Sequence, residues 1–349
     1  MNEINDGVLD EALQRLHASG PEHDGRLSNH GPMAVEALVR GGHADSVHRW
    51  LDYYRHKLED MPDRYAPVTD ANWHEALGDP RRAADWIDHF ERAVAERPWR
   101  EVLAAWWLTL LPGIAAGSTH PVIRVGHAVR SLLSPGGETA PRLAELAHGL
   151  GYWAARHDPL PALTPLTLEP SADAAAALDA VRRIPLQDGP LPERFARLTS
   201  VPVWPTVPDV GPDAARDHLT DLVTAAVHRF ATHGHAAPIM LVHAATAPNA
   251  VLRTLPALPR ELWPASLAAA WAASAAVTSA YAPAEPAPEE QTRTAYGEAK
   301  RFTFDEILAR AAAHGDDHTI KFADTAFDVG DERARAAAIR GVELNPPAL

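Results

Sequence analysis

Apolar residues in this chain recur at intervals of three and four, and nowhere do they alternate with polar ones for long enough to build a sheet. That feature restricts the fold to helices packed on helices. Leu9, Leu13 and Leu16 open an amphipathic helix. Ser28 or Asn29 can cap a helix beginning at Pro32, which runs through Met33, Leu38 and Val39 to Gly41 and Gly42. Val47, Trp50, Leu51 and Tyr54 share one face of the next, and residues 80–97 form a helix stopped by Pro98. Residues 99–111 (WREVLAAWWLTLL) are apolar nearly all round, which predicts burial. The spacing predicts further helices after Pro121, over 141–156, 213–233, 237–255, 260–282, 303–313 and 318–328.

Two proline-rich stretches, 159–170 and 185–212, read as long ordered connections, and residues 201–204 (VPVW) are strand-like. Residues 283–300 (PAEPAPEEQTRTAYGEAK) read as a flexible surface loop. No composition shift marks a linker. The expectation is an all-α chain forming a single large domain over residues 1–349; the alternative is two helical halves meeting near 159–212.

Composition narrows the chemistry. The 349 residues include no cysteine, which excludes disulfides, thiolate metal sites, iron–sulfur clusters and cysteine nucleophiles. A net charge of −14 argues against nucleic acid or an anionic membrane as partner. No apolar run reaches the ~20 residues of a membrane span. The acidic start, MNEINDGVLDEAL, lacks the pattern of a secretory signal, so a cytoplasmic location is expected. A homo-oligomer is left open. GxGxxG, GxxxxGK[ST], GxSxG and HExxH are all missing, so flavin, nicotinamide and P-loop sites lose their usual fingerprint. His233 and His235 have the HxH form of barrel amidohydrolases, but they end a helical run rather than a strand.

Nineteen histidines are many for this length, and most are expected on the surface. Four stand in unusual segments: His30 (LSNHGPM), His120 (STHPVIR), His243 (LVHAATAP) and His318 (HGDDHTIKFA). His318 and Lys321, at i and i+3, share one helix face, with Asp316 or Asp317 as cap. Lys321 sits in an apolar frame of Ile320, Phe322, Ala323 and Phe327. Burial depresses a lysine pKa, and the neutral amine can add carbon dioxide to become an anionic carbamate. Neutral imidazoles suit iron, zinc, copper or nickel. Spacing alone does not assemble residues spread from 30 to 318. Taken singly, each histidine also fits a hydrogen-bonded core residue or a cap.

These segments resemble the questin oxidase-like family. The resemblance is carried by residues 29–33 (NHGPM), Pro112-Gly113 with residues 120–123 (HPVI), residues 243–248 (HAATAP), residues 315–321 (GDDHTIK) and residues 151–156 (GYWAAR). It spans about residues 27–328 in the expected order. It implies an all-helical, metal-dependent oxygenase that opens a ring of an aromatic polyketide such as an anthraquinone. It also implies one non-haem Fe(II) held by His30, His120, His243, His318 and a carboxylated Lys321, with O2 as co-substrate. Arg124 and His127 depart from the family pattern, which often has histidine and tyrosine at these places.

In the expected pocket, Trp106, Trp107, Tyr152 and Trp153 are candidates to stack on a flat substrate, with a core role as the bland alternative. Arg124 could pair with a phenolate or carboxylate, and His127 could act as a base near pH 7. Asn29, Asp317 and Asp324 could orient the ligand imidazoles. Three other readings stay open: an NADPH-dependent Baeyer–Villiger-type monooxygenase, a zinc or nickel hydrolase, and a non-catalytic helical binding protein.

Overall fold

The computed structural model describes residues 3–161, 164–166, 171–205 and 210–349. Its architecture is all-α, as the apolar spacing predicts. Contacts divide the chain into two compact units. The first comprises Met1–Pro159 with Arg253–Leu262, and the second Leu160–Leu252 with Trp263–Leu349.

The first unit contains α1 (Glu3–His17), a two-residue hairpin of β1 (Glu22–His23) with β2 (Leu27–Ser28), α2 (Gly31–Arg40), α3 (Val47–Tyr54), the single turn α4 (Trp73–Ala76), α5 (Ala83–Glu96), α6 (Trp99–Leu110), α7 (His120–Leu133) and α8 (Ala140–Ala155). Helix α8 is its hub, packed against α1, α5 and α7. Its contact with α5 is close because Gly151 has no side chain: a Cβ there would lie 2.8 Å from Ile87 N. Trp86, Trp107 and Trp153 are wholly buried around this seam, and Trp107 meets Trp153 edge-on at 5.5 Å. Val47, Trp50, Leu51 and Tyr54 form the buried face of α3, as their spacing predicts. The all-round burial predicted for 99–111 is corrected. Helix α6 buries Trp99, Val102, Leu103, Trp106, Trp107 and Leu110 but turns Leu108, 52% exposed, to solvent. An apolar stretch does not by itself say which flank lacks a neighbour.

The second unit contains β3 (Thr164–Leu166), α9 (Ala174–Asp179), α10 (Leu191–Ala196), β4 (Ser200–Pro202), α11 (Pro212–His233), α12 (Pro238–Leu241), α13 (His243–Thr254, whose last two residues belong to the first unit), α14 (Trp263–Tyr281), α15 (Glu289–Ala299), α16 (Phe304–His314), α17 (Asp317–Val329) and α18 (Glu332–Leu344). Strands β3 and β4 pair in parallel, Thr164 opposite Ser200. Parts of the two predicted connections, residues 162, 163, 167–170 and 206–209, lie outside the described residues. The loop expected at 283–300 is corrected: α15 fills most of it. Thr292, Ala295 and Ala299 repeat at helical spacing, are buried, and give α15 a face to lay on α18. Helix α18 itself lies beyond the last segment the spacing predicts. Its buried residues are mainly alanines, which carry little hydrophobic signal.

Among the described residues, no helix is long and apolar enough to cross a membrane.

Candidate metal centre

The first unit brings His30 and His120 together. Hairpin β1–β2 delivers the chain to Ser28, and Asn29 N–H then donates to Pro21 O at 2.8 Å. The predicted start of α2 moves back by one residue. His30 occupies the N-cap position, and Asn29 Oδ1 accepts the Gly31 N–H at 2.9 Å, while Ser28 turns inward. The His30 N–H donates to Tyr54 Oη at 2.7 Å, which fixes the cap to α3.

His120 opens α7 after an unusual turn. Gly117, Ser118 and Thr119 all have positive φ, at 54°, 58° and 66°. Left-handed backbone at a residue with a side chain costs roughly 1–2 kcal/mol, so Ser118 and Thr119 are strained. The turn aims Gly117 O at His120 Nδ1, 2.6 Å away. The His30 and His120 rings then lie with centroids 4.3 Å apart, tilted 42°. Both are buried.

The second unit carries His243, His318 and Lys321 on two helices. His243 opens α13, and its Nδ1 lies 3.0 Å from Met240 O. His318 is in the first turn of α17, with Nδ1 2.9 Å from Asp317 Oδ1. The two rings meet edge to face with centroids 5.4 Å apart. Asp316 caps α17 by accepting from Thr319 N at 2.8 Å. Lys321, one turn on from His318, is 1% exposed. Burial pulls its ammonium down to about 8, although the Asp317 and Asp316 carboxylates pull it back up.

A common pattern emerges at the ring nitrogens. His120, His243 and His318 each place Nδ1 against an oxygen: two carbonyls, which can only accept, and one carboxylate. The rings of His120 and His243 therefore carry a proton on Nδ1, and the Asp317 carboxylate favours the same tautomer at His318. Two buried hydroxyls in the same segments, Thr119 Oγ1 and Thr246 Oγ1, have no hydrogen-bond partner. Buried polar atoms of that kind concentrate where a ligand or water completes the structure. Imidazole nitrogens and a buried lysine whose ammonium is destabilised are donor types that fit a divalent first-row cation.

The remaining predicted residues fall elsewhere. Arg124 closes a two-pronged ion pair on Glu145, with Nε–Oε1 2.6 Å and Nη2–Oε2 2.8 Å, both side chains buried. The carboxylate it meets is internal. His127 is buried between Glu36, 2.7 Å from Nδ1, and Arg253, whose Nη1 is 3.5 Å from Nε2. Burial holds its pKa below the ordinary 6.5, so the ring is neutral at pH 7 with both nitrogens engaged. Trp106 sits edge-on to Trp73, Trp86 and Phe90, and Trp153 Nε1 donates to Gly113 O, so both belong to the core. Asn29 holds the hairpin, its Nδ2 donating to Gly20 O, while Asp317 does meet a ligand-type ring. His233 ends α11, His235 lies in the turn after it, and both bond Thr232.

Two features escaped the sequence reading. One is the chain Ser28–Tyr152–Glu22 behind His120. The other is the pair of acids, Glu36 and Glu145, that face His127 and Arg124. The acids left a signal: each is a lone carboxylate in an apolar run, MAVEALV and LAELAHG, where a buried charge requires a partner.

The fold and these geometries define a class: an all-α protein with two close imidazole pairs, His30 with His120 and His243 with His318, in which three rings have Nδ1 against an oxygen. The Questin oxidase-like family model matches residues 27–182, and this is the family the motifs resemble. The match implies an oxidoreductase and takes in His30 and His120, ending before His243. No curated protein matches the chain.

Proposed function

We propose that this chain is a non-haem iron oxygenase that uses O2 to cleave a C–C bond in an aromatic polyketide such as an anthraquinone. In this reading His30, His120, His243, His318 and a carboxylated Lys321 hold one Fe(II). The observation that carries it is the anchoring of Nδ1 on His120, His243 and His318, which favours the tautomer a ligating Nε2 needs. The family match supports the oxidative chemistry, and the sequence resemblance supplies the ligand set and the substrate class.

A bound ferrous ion supplies the electron transfer that lets ground-state O2 react with an organic molecule. The chain's own residues do the rest. Met240 O and Asp317 hold the two second-unit rings in one tautomer, as Gly117 O does for His120. Lys321 Nζ, neutral in an appreciable fraction because of its burial, adds to CO2. An N–C bond forms, one proton leaves to water, and an anionic oxygen stands where the neutral amine was. Beside four imidazole ligands, that oxygen would be the site's one negative ligand. An electron-rich phenol supplies electrons of its own, so no nicotinamide is required.

The test is metal content by elemental mass spectrometry on untagged protein, beside Lys321→Ala. About one iron per chain, sharply reduced in the variant, is expected. Turnover of hydroxyanthraquinones should then require O2 and not NADPH, and carbon-13 bicarbonate should label a lysine carbamate. Failure to bind iron under anaerobic loading would overturn the reading.

A further inference from the structure

We infer that Tyr152 and Ser28 are positioning residues that lock His120 with Nδ1 as donor and Nε2 as the metal-facing nitrogen. This rests on the metal-site reading above. The notion that Tyr152 stacks on substrate does not fit its surroundings. It is wholly buried on α8, and its hydroxyl is used twice, 2.7 Å from Ser28 Oγ and 3.1 Å from Glu22 Oε1.

The direction of the chain follows from its outer end. Glu22 is a carboxylate ion-paired with Arg156, and it can only accept. Tyr152 O–H therefore donates to Glu22 and its oxygen accepts from Ser28 O–H. Ser28 Oγ is left with a lone pair toward His120 Nδ1, 3.0 Å away. Gly117 O, also only an acceptor, faces the same nitrogen at 2.6 Å. Two acceptors on Nδ1 admit one tautomer. The turn and the tyrosine are also fitted to each other. A Cβ on Gly117 would lie 3.2 Å from the Tyr152 hydroxyl, so the glycine serves both its positive φ and this close approach.

The relay makes a prediction that mere packing does not. In Tyr152→Phe the Ser28 hydroxyl loses its acceptor and turns its hydrogen toward His120 Nδ1. That donor competes with the Gly117 carbonyl for Nδ1 and moves the ring toward Nε2–H, which blocks the metal. Iron affinity should fall about ten- to a hundredfold, the range typical of lost outer-shell partners. Adding Ser28→Ala to Tyr152→Phe removes the competing donor and should restore most of the affinity. Glu22→Ala, at the partly exposed end of the chain, should act in the same direction as Tyr152→Phe, because Tyr152 is then free to donate to Ser28. Trp153→Phe, which loses a buried bond on the same helix, should lower Tm and leave iron affinity unchanged.

The experiment is anaerobic Fe(II) titration of these variants, together with nitrogen-15 NMR of histidine-labelled, metal-free protein. The His120 signals would be assigned with His120→Gln. The expected result is a Nδ1–H ring in the wild type, a shift toward Nε2–H in Tyr152→Phe and in Glu22→Ala, and reversal in Tyr152→Phe/Ser28→Ala. Unchanged affinity and tautomer in Tyr152→Phe and in Glu22→Ala would overturn the inference, as would a double variant no better than Tyr152→Phe. A wild type that binds no iron would overturn the metal reading, and the NMR comparison would still decide the relay.

Discussion

Arg124 and Glu145 have side chains 3% and 4% exposed, so the loss of either strands a charge in the core of the first unit. Burial raises the Glu145 carboxyl, but the Arg124 guanidinium and the bond from His17 outweigh it and hold the group at about 2. The unfolded reference is near 4.5. The pair's stabilisation is therefore full above about pH 4.5 and is lost as the pH falls toward 2. We expect Glu145→Gln to cost about 3–5 kcal/mol at pH 7 by urea unfolding, as for other broken buried pairs. Below pH 4.5 the wild-type and variant curves should converge; parallel curves would refute the assignment. From the sequence, Arg124 is legible as a charge in an apolar helix, and a polar partner can be inferred. The identity of that partner cannot, because Glu145 lies on another helix. Lys321 is the more legible case, since its i,i+3 relation to His318 is local and survives folding unchanged.

At the scale of the element, the ends of helices carry the candidate ligands. His30 caps α2, His120 opens α7, His243 opens α13 and His318 lies in the first turn of α17. Removing the Asp316 cap should destabilise α17. Asp316→Ala is expected to cost about 1 kcal/mol in chemical denaturation and to weaken iron binding, because Asp317 and His318 follow directly. The tightest helix pair offers a second test. Gly151→Ala forces a methyl to within 2.8 Å of Ile87 N, and overpacking of this kind costs about 1–3 kcal/mol. A Tm within experimental error of wild type would mean that α5 and α8 have room to part. Helix boundaries were legible wherever apolar residues kept their period. Helix α15 was not, because prolines and charges hide a short buried face of Thr292, Ala295 and Ala299.

For the molecule as a whole, the helical class was written in the period of the apolar residues, whereas the proposed ligand set was not. Its five residues are spread from position 30 to position 321, and no local pattern relates them. Only the resemblance assembled the list, and the structure adds the Nδ1 contacts that orient three of its rings. An ion held by residues so far apart in sequence binds the folded chain and not the unfolded one. Saturating iron should therefore raise stability by about 2.7 kcal/mol at a hundred times Kd. Anaerobic thermal scans of the wild type against Lys321→Ala would measure this. Equal midpoints with and without iron in the wild type would contradict it.

The run of left-handed residues from Gly117 to Thr119 bears on how a mutational scan of this protein should be read. In a saturation library, position 117 should tolerate almost nothing, while positions 118 and 119 should prefer glycine, asparagine and aspartate over larger or branched side chains. Such a profile is ordinarily taken as the mark of residues that perform chemistry. Here the intolerance belongs to the backbone, since what the turn delivers is the carbonyl of Gly117, and selection would be guarding a peptide oxygen that no side-chain substitution can remove.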